Sequence, residues 1–278
     1  MPRRLRLDAE LVRRGLARSR EHASELIAAK RVKVAGVVAN KPATGVSTDV
    51  ALLVVEDPHR PEYVSRGGHK LAGALSVFGA HGLVVAGRRC LDAGASTGGF
   101  TDVLLRNGAD QVVAVDVGYG QLAWALQQDR RVHVHDRTNI RDLTTERIGG
   151  AVDLVVGDLS FISLLLVVDA LLAVTRDDGD LALMVKPQFE VGKDKVGRGG
   201  VVRNLDLKTG AVTSVADAAS SRGWGAQAVT TSPLPGPSGN VEYFLLLRHA
   251  PASISVEDID AEVRRTSSLG APGEKVDS

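Results

Sequence analysis

The chain has 278 residues, of which 44% are hydrophobic and 24% charged, and its formal net charge is +1. This composition excludes a disordered polyelectrolyte, a collagen and a coiled coil. The single cysteine, Cys90, excludes an internal disulfide and a thiolate metal cage, so we expect a reducing compartment, the cytoplasm, and no metal. No secretory leader or transmembrane span is expected, because acidic residues interrupt even the most apolar stretch, 154–174.

The charge is unevenly distributed along the chain. Residues 1–60 carry 12 Lys and Arg against 7 Asp and Glu, whereas residues 249–278 carry 3 against 6. A compact basic segment attached to a nearly neutral body indicates a module that docks on a polyanion. A solvated pair of helices explains the same charge equally well, so the charge alone leaves both interpretations open.

Residues 1–59 are predicted to form a small α+β domain of two short helices followed by strands. Asp8 and Ser19 are expected to cap the two helices, because both residue types accept hydrogen bonds from free backbone N–H groups. A hairpin follows, in which Val32 and Val34 alternate with cations. The cations expected to line one surface are Arg6, Arg20, Lys33 and Lys41.

This segment resembles the alpha-L RNA-binding motif found in a small-subunit ribosomal protein and in several RNA-modifying enzymes. The resemblance is carried by Arg6-Leu7-Asp8, Leu11, Ser19-Arg20, Ala23, Ile27, Val32-Lys33-Val34 and Lys41-Pro42. The chain departs from the motif at Lys30, where the family usually has the glycine that ends the second helix, so that helix end must be built differently. The resemblance implies that these cations bind RNA, and we assign Arg66 to the same role.

Segments on either side of the main body are predicted to be less regular. Two prolines and the lack of periodicity in residues 56–65 indicate a stiff linker, which we place at 60–65. Residues 250–278 are acidic, and we expect a loosely held, flexible tail that contains a helix at 257–267.

Between the linker and the tail, residues 66–249 alternate helical and β-rich runs. This alternation is typical of an α/β fold with a parallel, doubly wound sheet. The last two β-rich runs, 225–232 and 242–248, are joined by a proline-rich loop that is too short for a crossover helix. These two runs must therefore pair antiparallel, so the last strand runs against the others.

A glycine-rich turn follows the first β-rich run, in the sequence CLDAGASTGGFT at 90–101. Ser96 stands where the second glycine of a dinucleotide fingerprint would lie, so a dinucleotide is not expected. Each of the first three strands ends in an acidic residue, and these carboxylates would attract the cationic groups of S-adenosylmethionine. An ordinary strand–helix turn with solvated acids is the alternative. The residues assigned to this cofactor are Asp92, Gly94, Ala95, Ser96, Thr97, Gly98, Gly99, Asp116, Asp136 and Phe161.

Four charged residues are expected to meet at the carboxyl edge of the sheet. Asp158 and Lys186 end the fourth and fifth strands, Glu242 begins the antiparallel last strand, and Lys70 begins the helix after the linker. Methyl transfer to a ribose hydroxyl needs a base, since the oxygen must lose its proton as it attacks. A lysine amine can serve when burial and a second lysine favour its neutral form.

Each of these four residues is assigned a role in that reaction. Lys186 is the expected base, Asp158 positions the amine, Lys70 holds the ribose or phosphate, and Glu242 binds the 2′-hydroxyl or Lys70. Taken alone, each of them is better explained by a surface ion pair, so the assignment depends on their joint position at one edge.

Residues 66–248 resemble the Rossmann-like RNA ribose methyltransferases that carry a Lys-Asp-Lys-Glu tetrad, and the whole chain resembles the haemolysin A (TlyA) family. The matching motifs are RGGHKL from Arg66, LDAGASTGGFT from Leu91, AVDVGYGQ from Ala114, RTN from Arg137, DLSFIS from Asp158, KPQFEVG from Lys186, GGVVR from Gly199 and GNVEY from Gly239.

The resemblance implies a class I methyltransferase fold with a seven-stranded mixed sheet and an antiparallel last strand. It also implies 2′-O-methylation of cytidine in the ribosomal RNA of the small and large subunits, with S-adenosylmethionine as methyl donor. The tetrad corresponds to Lys70, Asp158, Lys186 and Glu242 without substitution. We expect a monomer without stable membrane insertion.

Two other functions are compatible with parts of the sequence. A membrane-active haemolysin would need an apolar span or an amphipathic basic helix, and the sequence indicates neither. An RNA-binding protein without catalytic activity would not need the intact tetrad.

Overall fold

The chain divides into two compact units, Met1–Val64 and Ser65–Ser278, called here the amino-terminal unit and the large unit. The structure is a computed structural model that describes residues 4–55, 62–236 and 238–268. The predicted linker at 60–65 therefore lies partly outside the described residues.

The amino-terminal unit contains the two helices and the hairpin expected from the sequence. Its elements are β1 (Arg4–Arg6), α1 (Leu7–Arg13), α2 (Arg20–Ala28), β2 (Val32–Val34), β3 (Val37–Val38), β4 (Gly45–Ser47) and β5 (Leu52–Val54). β1 pairs antiparallel with β4, and β2 lies between β3 and β5 in a second antiparallel sheet. The core of the unit includes Leu7, Leu11, Ala23, Leu26, Ile27, Val32 and Val46.

The two helices of this unit begin in different ways. Ser19 caps α2 as predicted, because its hydroxyl accepts a hydrogen bond from the N–H of His22. Asp8 lies inside α1, whose N-cap is Arg6, so the predicted cap at Asp8 is wrong. The buried Asp8 carboxylate instead accepts hydrogen bonds from the guanidinium groups of Arg6 and Arg20, which lower its pKa to about 2.

The carboxyl end of α2 is formed without a glycine. Lys30 adopts a left-handed backbone with φ of +59°. Its N–H donates to the carbonyl of Ile27 at 2.9 Å, and the N–H of Arg31 donates to that of Leu26 at 3.0 Å. These two bonds satisfy the last helical carbonyls in the pattern that glycine usually provides. The departure seen in the sequence is therefore accommodated by backbone strain at Lys30.

The large unit alternates helices and strands. Its elements are α3 (Arg66–Gly79), β6 (Arg89–Ala93), α4 (Gly99–Arg106), β7 (Gln111–Val115), α5 (Trp124–Gln127), β8 (Val132–His135), α6 (Thr145–Ile148), β9 (Val152–Gly157), α7 (Val168–Ala173), β10 (Thr175–Val185), α8 (Pro187–Glu190), α9 (Leu205–Ser220), β11 (Gly225–Thr231), β12 (Tyr243–Arg248) and α10 (Val256–Ser268).

Seven of these strands form one mixed sheet in the order β11-β12-β10-β9-β6-β7-β8. The strands β10, β9, β6, β7 and β8 pair in parallel, whereas β12 pairs antiparallel with both β10 and β11. The predicted α/β fold with an antiparallel last strand is therefore confirmed. Tyr243 at the start of β12 lies opposite Val185 at the end of β10. This register brings the residue before β12 next to the residue after β10.

The segment after β12 packs on the rest of the large unit. Ile259 and Val263 in α10 are 2% and 1% exposed and belong to the same core as the strands. Asp260 in α10 accepts a hydrogen bond from Thr209 in α9. The prediction of a loosely held tail is therefore wrong for the described residues 250–268, because the acidic bias concealed two apolar positions on one helix face. Residues 269–278 lie outside the described residues.

The helices of the described chain are short, and α9, with 16 residues, is the longest of them. None of the helices in the described residues combines the length and the hydropathy needed to cross a membrane.

Candidate active site

The glycine-rich turn joins β6 to α4 at the carboxyl edge of the sheet. Gly98 has a φ of +98°, and a Cβ at this position would overlap the side chains of Leu122 and Leu126. Gly94 has a φ of +86°, and a Cβ there would lie 3.1 Å from the backbone oxygen of Asp158. Glycine is required at both positions, since they combine a left-handed backbone with a close neighbour. The turn is thereby held against the end of β9.

Asp116, the first residue after β7, connects this turn to the next loop. One carboxylate oxygen accepts a hydrogen bond from the N–H of Ser96 at 2.8 Å, and the other accepts one from the N–H of Gly118 at 2.7 Å. Each oxygen retains a further lone pair for a ligand. Asp116 therefore shapes the turn and can still bind a donor.

Asp92 lies beneath the turn and is completely buried. One of its oxygens accepts a hydrogen bond from the hydroxyl of Thr101 at 2.7 Å, and the other, Oδ1, has no hydrogen-bond partner among the described residues. Burial, with a smaller contribution from the charge of Asp158, raises the pKa of Asp92 to about 7. The Asp92 side chain therefore stabilises the glycine-rich turn from its buried side.

Two ion pairs lie at the same edge, the first buried and the second partly exposed at its carboxylate. Lys70 Nζ donates to Glu242 Oε2 at 2.5 Å, and the two side chains are 9% and 1% exposed. Lys186 Nζ lies 2.6 Å from Asp158 Oδ1, with exposed fractions of 8% and 23%. The chain therefore brings the four predicted residues together as two pairs.

The second pair has an additional partner that was not predicted from the sequence. Lys186 Nζ donates a hydrogen bond to the hydroxyl of Ser160 at 2.7 Å. Its contact with Asp158 is an ion pair outside hydrogen-bond alignment, because Asp158 Oδ1 has no hydrogen-bond partner among the described residues. Ser160 thus sets the direction of the Lys186 amine, while Asp158 balances its charge.

Two cavities open at this edge and share a common wall. The larger, about 570 Å³, is lined by Gly94, Ser96, Val115, Asp116, Val117, Gln121, Asn139, Ile140, Arg141, Asp158, Leu159, Ser160, Phe161 and Ile162. The smaller, about 270 Å³, is lined by Ser65, Arg66, Gly67, Lys70, Gly94, Ala95, Ser96, Thr97, Gly99, Phe100, Asp158, Ser160 and Pro235. Because Asp158 and Ser160 line both cavities, a group bound in one would meet a group bound in the other beside Lys186.

The loops after β9 and β10 are joined at several points. Glu190 accepts hydrogen bonds from the hydroxyl of Ser163 at 2.5 Å and from the N–H of Leu164 at 2.8 Å. The rings of Phe161 and Phe189 lie 5.5 Å apart. Together with the Lys186 contacts, these interactions hold the two loops in one arrangement.

The residues assigned to a cofactor from the sequence occupy different positions. Asp92, Gly98 and Asp136 do not line either cavity, and the remaining seven do. Asp136 instead accepts a hydrogen bond from the N–H of Gly120 and so braces the loop after β7. Phe161 lines the larger cavity but is 92% exposed and has a φ of +63°.

Several lining residues were not predicted, among them Gln121, Asn139, Leu159 and Ser160. Asn139 and Ser160 stand inside motifs that carried the family resemblance, which is the only signal that could have identified them. Gln121 and Leu159 also lie inside quoted motifs, AVDVGYGQ and DLSFIS, and no periodicity marks them as lining residues.

The cations assigned to RNA are distributed over both units. Arg6 and Arg20 share the Asp8 carboxylate, and their side chains remain 51% and 59% exposed. Lys41 is exposed and Lys33 is half-buried. Arg66, at the start of α3, is exposed and lines the smaller cavity.

Comparison with protein families gives two matches. The FtsJ-like methyltransferase family matches residues 63–249, and the S4 domain matches residues 5–50.

Individual proteins match over nearly the whole chain. The 16S/23S rRNA (cytidine-2′-O)-methyltransferase TlyA of Mycobacterium tuberculosis is 58% identical over 97% of this chain and 100% of its own length. The putative rRNA methyltransferase YqxC of Bacillus subtilis is 42% identical over 88% of this chain and 86% of its own. A solved structure of a putative hemolysin from Streptococcus thermophilus superposes with a TM-score of 0.73 and 35% identity, and it covers 96% of this chain and 97% of its own.

Proposed function

The chain belongs to the FtsJ-like methyltransferase family and to its TlyA group, and we propose that it transfers a methyl group from S-adenosylmethionine to the 2′-hydroxyl of cytidine in ribosomal RNA. The observation that carries this proposal is the presence of two ion pairs, Lys70–Glu242 and Lys186–Asp158, at the boundary of two cavities. One cavity would take the cofactor and the other the target ribose.

The larger cavity suits S-adenosylmethionine in size and charge. Its volume of about 570 Å³ is within the usual range for small-molecule sites. Asp116 supplies negative charge in the wall of this cavity, and its carboxylate oxygens retain lone pairs for a donor of the ligand. Asp116 would hold the ribose of the cofactor. When bound, the cofactor supplies an electrophilic methyl group on a sulfonium.

The ion pairs of the chain perform the proton transfer and the positioning. Lys186 accepts the proton of the target hydroxyl after its ammonium has released a proton to solvent, and Ser160 sets the direction of the amine. Asp158 stabilises the ammonium that results, and Lys70, held by Glu242, orients the target ribose or its phosphate. Because each lysine has a carboxylate partner, the site does not accumulate positive charge before the substrate arrives.

The amino-terminal unit would provide the affinity for RNA. It matches the S4 domain, and it carries Arg6, Arg20 and Lys41 with exposed charge. Contacts with phosphates give affinity that depends on salt but not on sequence, so the large unit must select the nucleotide. We propose that the ribosomal RNA of both subunits is modified, by a monomer acting in the cytoplasm.

A membrane-active function and a non-catalytic RNA-binding function are less favoured. A solved relative bears the name putative hemolysin, yet this chain has the site arrangement of a transferase. Two lysine–carboxylate pairs at the wall between two cavities are needed for proton transfer and positioning, and neither membrane lysis nor simple RNA binding requires them.

The test is to incubate the full chain with radiolabelled S-adenosylmethionine and each unmodified ribosomal subunit, and then to map the modified nucleotide by mass spectrometry. Label on the 2′-oxygen of cytidine is the expected result. Label on a base, or on no RNA at all, would overturn the proposal.

A second experiment measures the affinity of the chain for ribosomal RNA at several salt concentrations. Lys41→Ala should reduce the slope of log affinity against log salt by about one, while Arg222→Ala in the large unit serves as the control.

A further inference from the structure

One buried carboxylate of the amino-terminal unit joins two exposed arginines. Asp8 Oδ2 accepts a hydrogen bond from Nη2 of Arg6 at 2.9 Å and another from Nη2 of Arg20 at 3.1 Å. The side chain of Asp8 is 4% exposed, whereas those of Arg6 and Arg20 are 51% and 59% exposed. Because both guanidinium groups bind the same oxygen atom, these two short bonds limit the distance between them.

Asp8 does not need both arginines for its own compensation. Arg6 donates from Nε to Oδ1 and from Nη2 to Oδ2, and the N–H of Ala9 donates to Oδ1 at 2.8 Å. Both oxygens of the buried carboxylate therefore have a donor before Arg20 is considered, as the burial of a charge requires. The bond from Arg20 is additional, so it restrains the arginine more than it compensates the acid.

Both guanidinium groups keep most of their donors. A guanidinium has five N–H groups, of which Arg6 uses two for Asp8 and Arg20 uses one. Within the described part of the chain, no other acceptor binds either guanidinium. Two such groups, held close together with free donors, suit a negatively charged ligand that has several acceptor oxygens.

A second buried acid of α1 shows what a purely structural cluster looks like. Glu10 also binds two arginines, Arg13 and Arg14. Arg14, however, donates onward to two backbone carbonyls in the segment before β5, at 2.9 and 2.7 Å. The Glu10 cluster thereby ties α1 to another part of the unit. Arg20 makes no such onward bond to the described residues, so the Asp8 cluster leaves its donors for a ligand.

A further cation lies beside the arginine pair. The N–H groups of Leu7 and Asp8 donate to the carbonyls of Thr44 and Pro42 at 2.8 and 3.1 Å. These bonds attach the turn that contains the exposed Lys41 to the beginning of α1. Positive charge therefore continues past the pair, which matches a polyanionic strand better than a single small anion.

We propose that Asp8 is a positioning residue for RNA binding, which holds Arg6 and Arg20 as a two-armed clamp for one phosphodiester group of the RNA backbone. This inference rests on the proposed function, because it concerns the same RNA. An arginine that is already ordered loses less conformational entropy when it binds a phosphate. The clamp therefore gains affinity although the charge of Asp8 itself repels the phosphate.

The effect of Asp8 on RNA affinity has opposite signs under the two explanations of its charge. If only charge matters, Asp8→Asn removes a negative charge from a surface that binds a polyanion and should strengthen binding. If Asp8 positions the arginines, Asp8→Asn should weaken binding to unmodified ribosomal subunits about five- to tenfold, because the RNA must then order two long side chains itself. The KM for the subunits should rise in the same proportion while kcat stays at the parental value.

Two further variants separate positioning from a loss of folding. Glu10→Gln is the matched control, since it removes a buried acid between two arginines of the same helix, and it should not weaken RNA binding. Arg20→Lys keeps the charge on an exposed side chain and leaves the core untouched. It should weaken binding about threefold, because an ammonium lacks the planar fork that binds a carboxylate and a phosphate at once. Circular dichroism establishes that each variant is folded.

Unchanged or stronger RNA binding by Asp8→Asn would overturn the clamp, and so would equal weakening by Glu10→Gln. Parental affinity of Arg20→Lys would overturn it as well, and this variant decides alone if Asp8→Asn does not fold. Methyl transfer by the parent chain is measured separately. If the parent binds the subunits but methylates nothing, the proposed function fails, and the affinities of the variants still decide whether Asp8 positions the two arginines.

Discussion

Lys70 and Glu242 are 172 positions apart in the sequence and form an ion pair of 2.5 Å in which both side chains are buried. The pair joins the beginning of α3 to the residue that precedes β12. Burial of both charges means that each depends on the other for compensation.

Removal of one partner of this pair should therefore destabilise the large unit. We expect Glu242→Ala to reduce the free energy of unfolding by about 3 to 5 kcal/mol, because it leaves the Lys70 ammonium buried without a counter-charge. The double variant Lys70→Met with Glu242→Leu should regain most of that stability, since no charge remains buried. Denaturant titration of both variants measures the difference, and equal losses would contradict the dependence of one charge on the other.

Substitution of Lys186 should separate chemistry from binding. Lys186→Ala should reduce kcat for methyl transfer by about 10² to 10⁴ and leave cofactor affinity unchanged, since only the proton acceptor is lost. Lys186→Arg should be nearly as inactive, because a guanidinium remains protonated. Ser160→Ala should cause a smaller decrease. Substantial activity of the arginine variant would show that Lys186 acts only through its charge.

Asp116 is predicted to bind the cofactor as well as to shape the turn. Asp116→Ala should weaken binding of S-adenosylmethionine about tenfold or more, because it removes a charged hydrogen-bond acceptor and releases the N–H groups of Ser96 and Gly118. Asp110→Ala, at an exposed acid before β7, is the control. Calorimetry provides the affinities, and circular dichroism establishes that both variants are folded. Parental affinity in Asp116→Ala would remove this residue from the site.

The buried carboxyl of Asp92 should make stability depend on pH. Its pKa is raised to about 7 in the folded chain, so the folded state binds a proton that the unfolded state has already released above pH 4. The contribution of Asp92 to the free energy of unfolding is at its maximum below about pH 4. It decreases by about 1.4 kcal/mol per pH unit as the pH rises from there towards 7. Asp92→Asn should remove that part of the dependence and be the more stable form at pH 8. Parallel pH profiles for the two proteins would contradict this expectation.

The left-handed residue at the end of α2 offers a stabilising substitution. Lys30→Gly should raise the stability of the amino-terminal unit by up to about 1 kcal/mol, because glycine adopts a positive φ without the Cβ conflict. Lys30→Ala, which retains the Cβ, is the control and should show no gain. Thermal unfolding of the full chain, followed by a probe in this unit, measures both. A gain in the alanine variant would indicate that the lysine charge, and not the backbone, is responsible.

Much of the fold and the approximate location of the site could be predicted from the sequence. The short loop before β12 required an antiparallel strand, and this topology alone placed Glu242 at the edge where Asp158 and Lys186 end. Such features follow from strand periodicity and chain order, which are properties of the sequence itself. The sequence left open whether Glu242 pairs with Lys70 or is free to bind the 2′-hydroxyl, because that choice depends on the packing of α3.

Other features depend on contacts that have no sequence signal. Asp8 is a good capping residue by type, yet the chain places it inside α1, where it binds two arginines. Asp136 follows a strand as a cofactor acid would, yet it braces a loop. Ser160 is one serine among many until β10 brings Lys186 to it. For Asp8 and Asp136 the sequence suggested a role that suits an acid but not the partner that the structure shows, and Ser160 was not singled out at all.

The two hydrogen bonds that Glu190 accepts from Ser163 and Leu164 have a kinetic consequence. Because they join the loop that carries Asp158 to the loop that carries Lys186, opening of either loop alone must break both bonds. A nucleotide must then enter and leave the site either while both loops stay closed or through a concerted movement of both loops. We therefore expect Asp158 and Lys186 to move together when the loops open, so that their separation changes little.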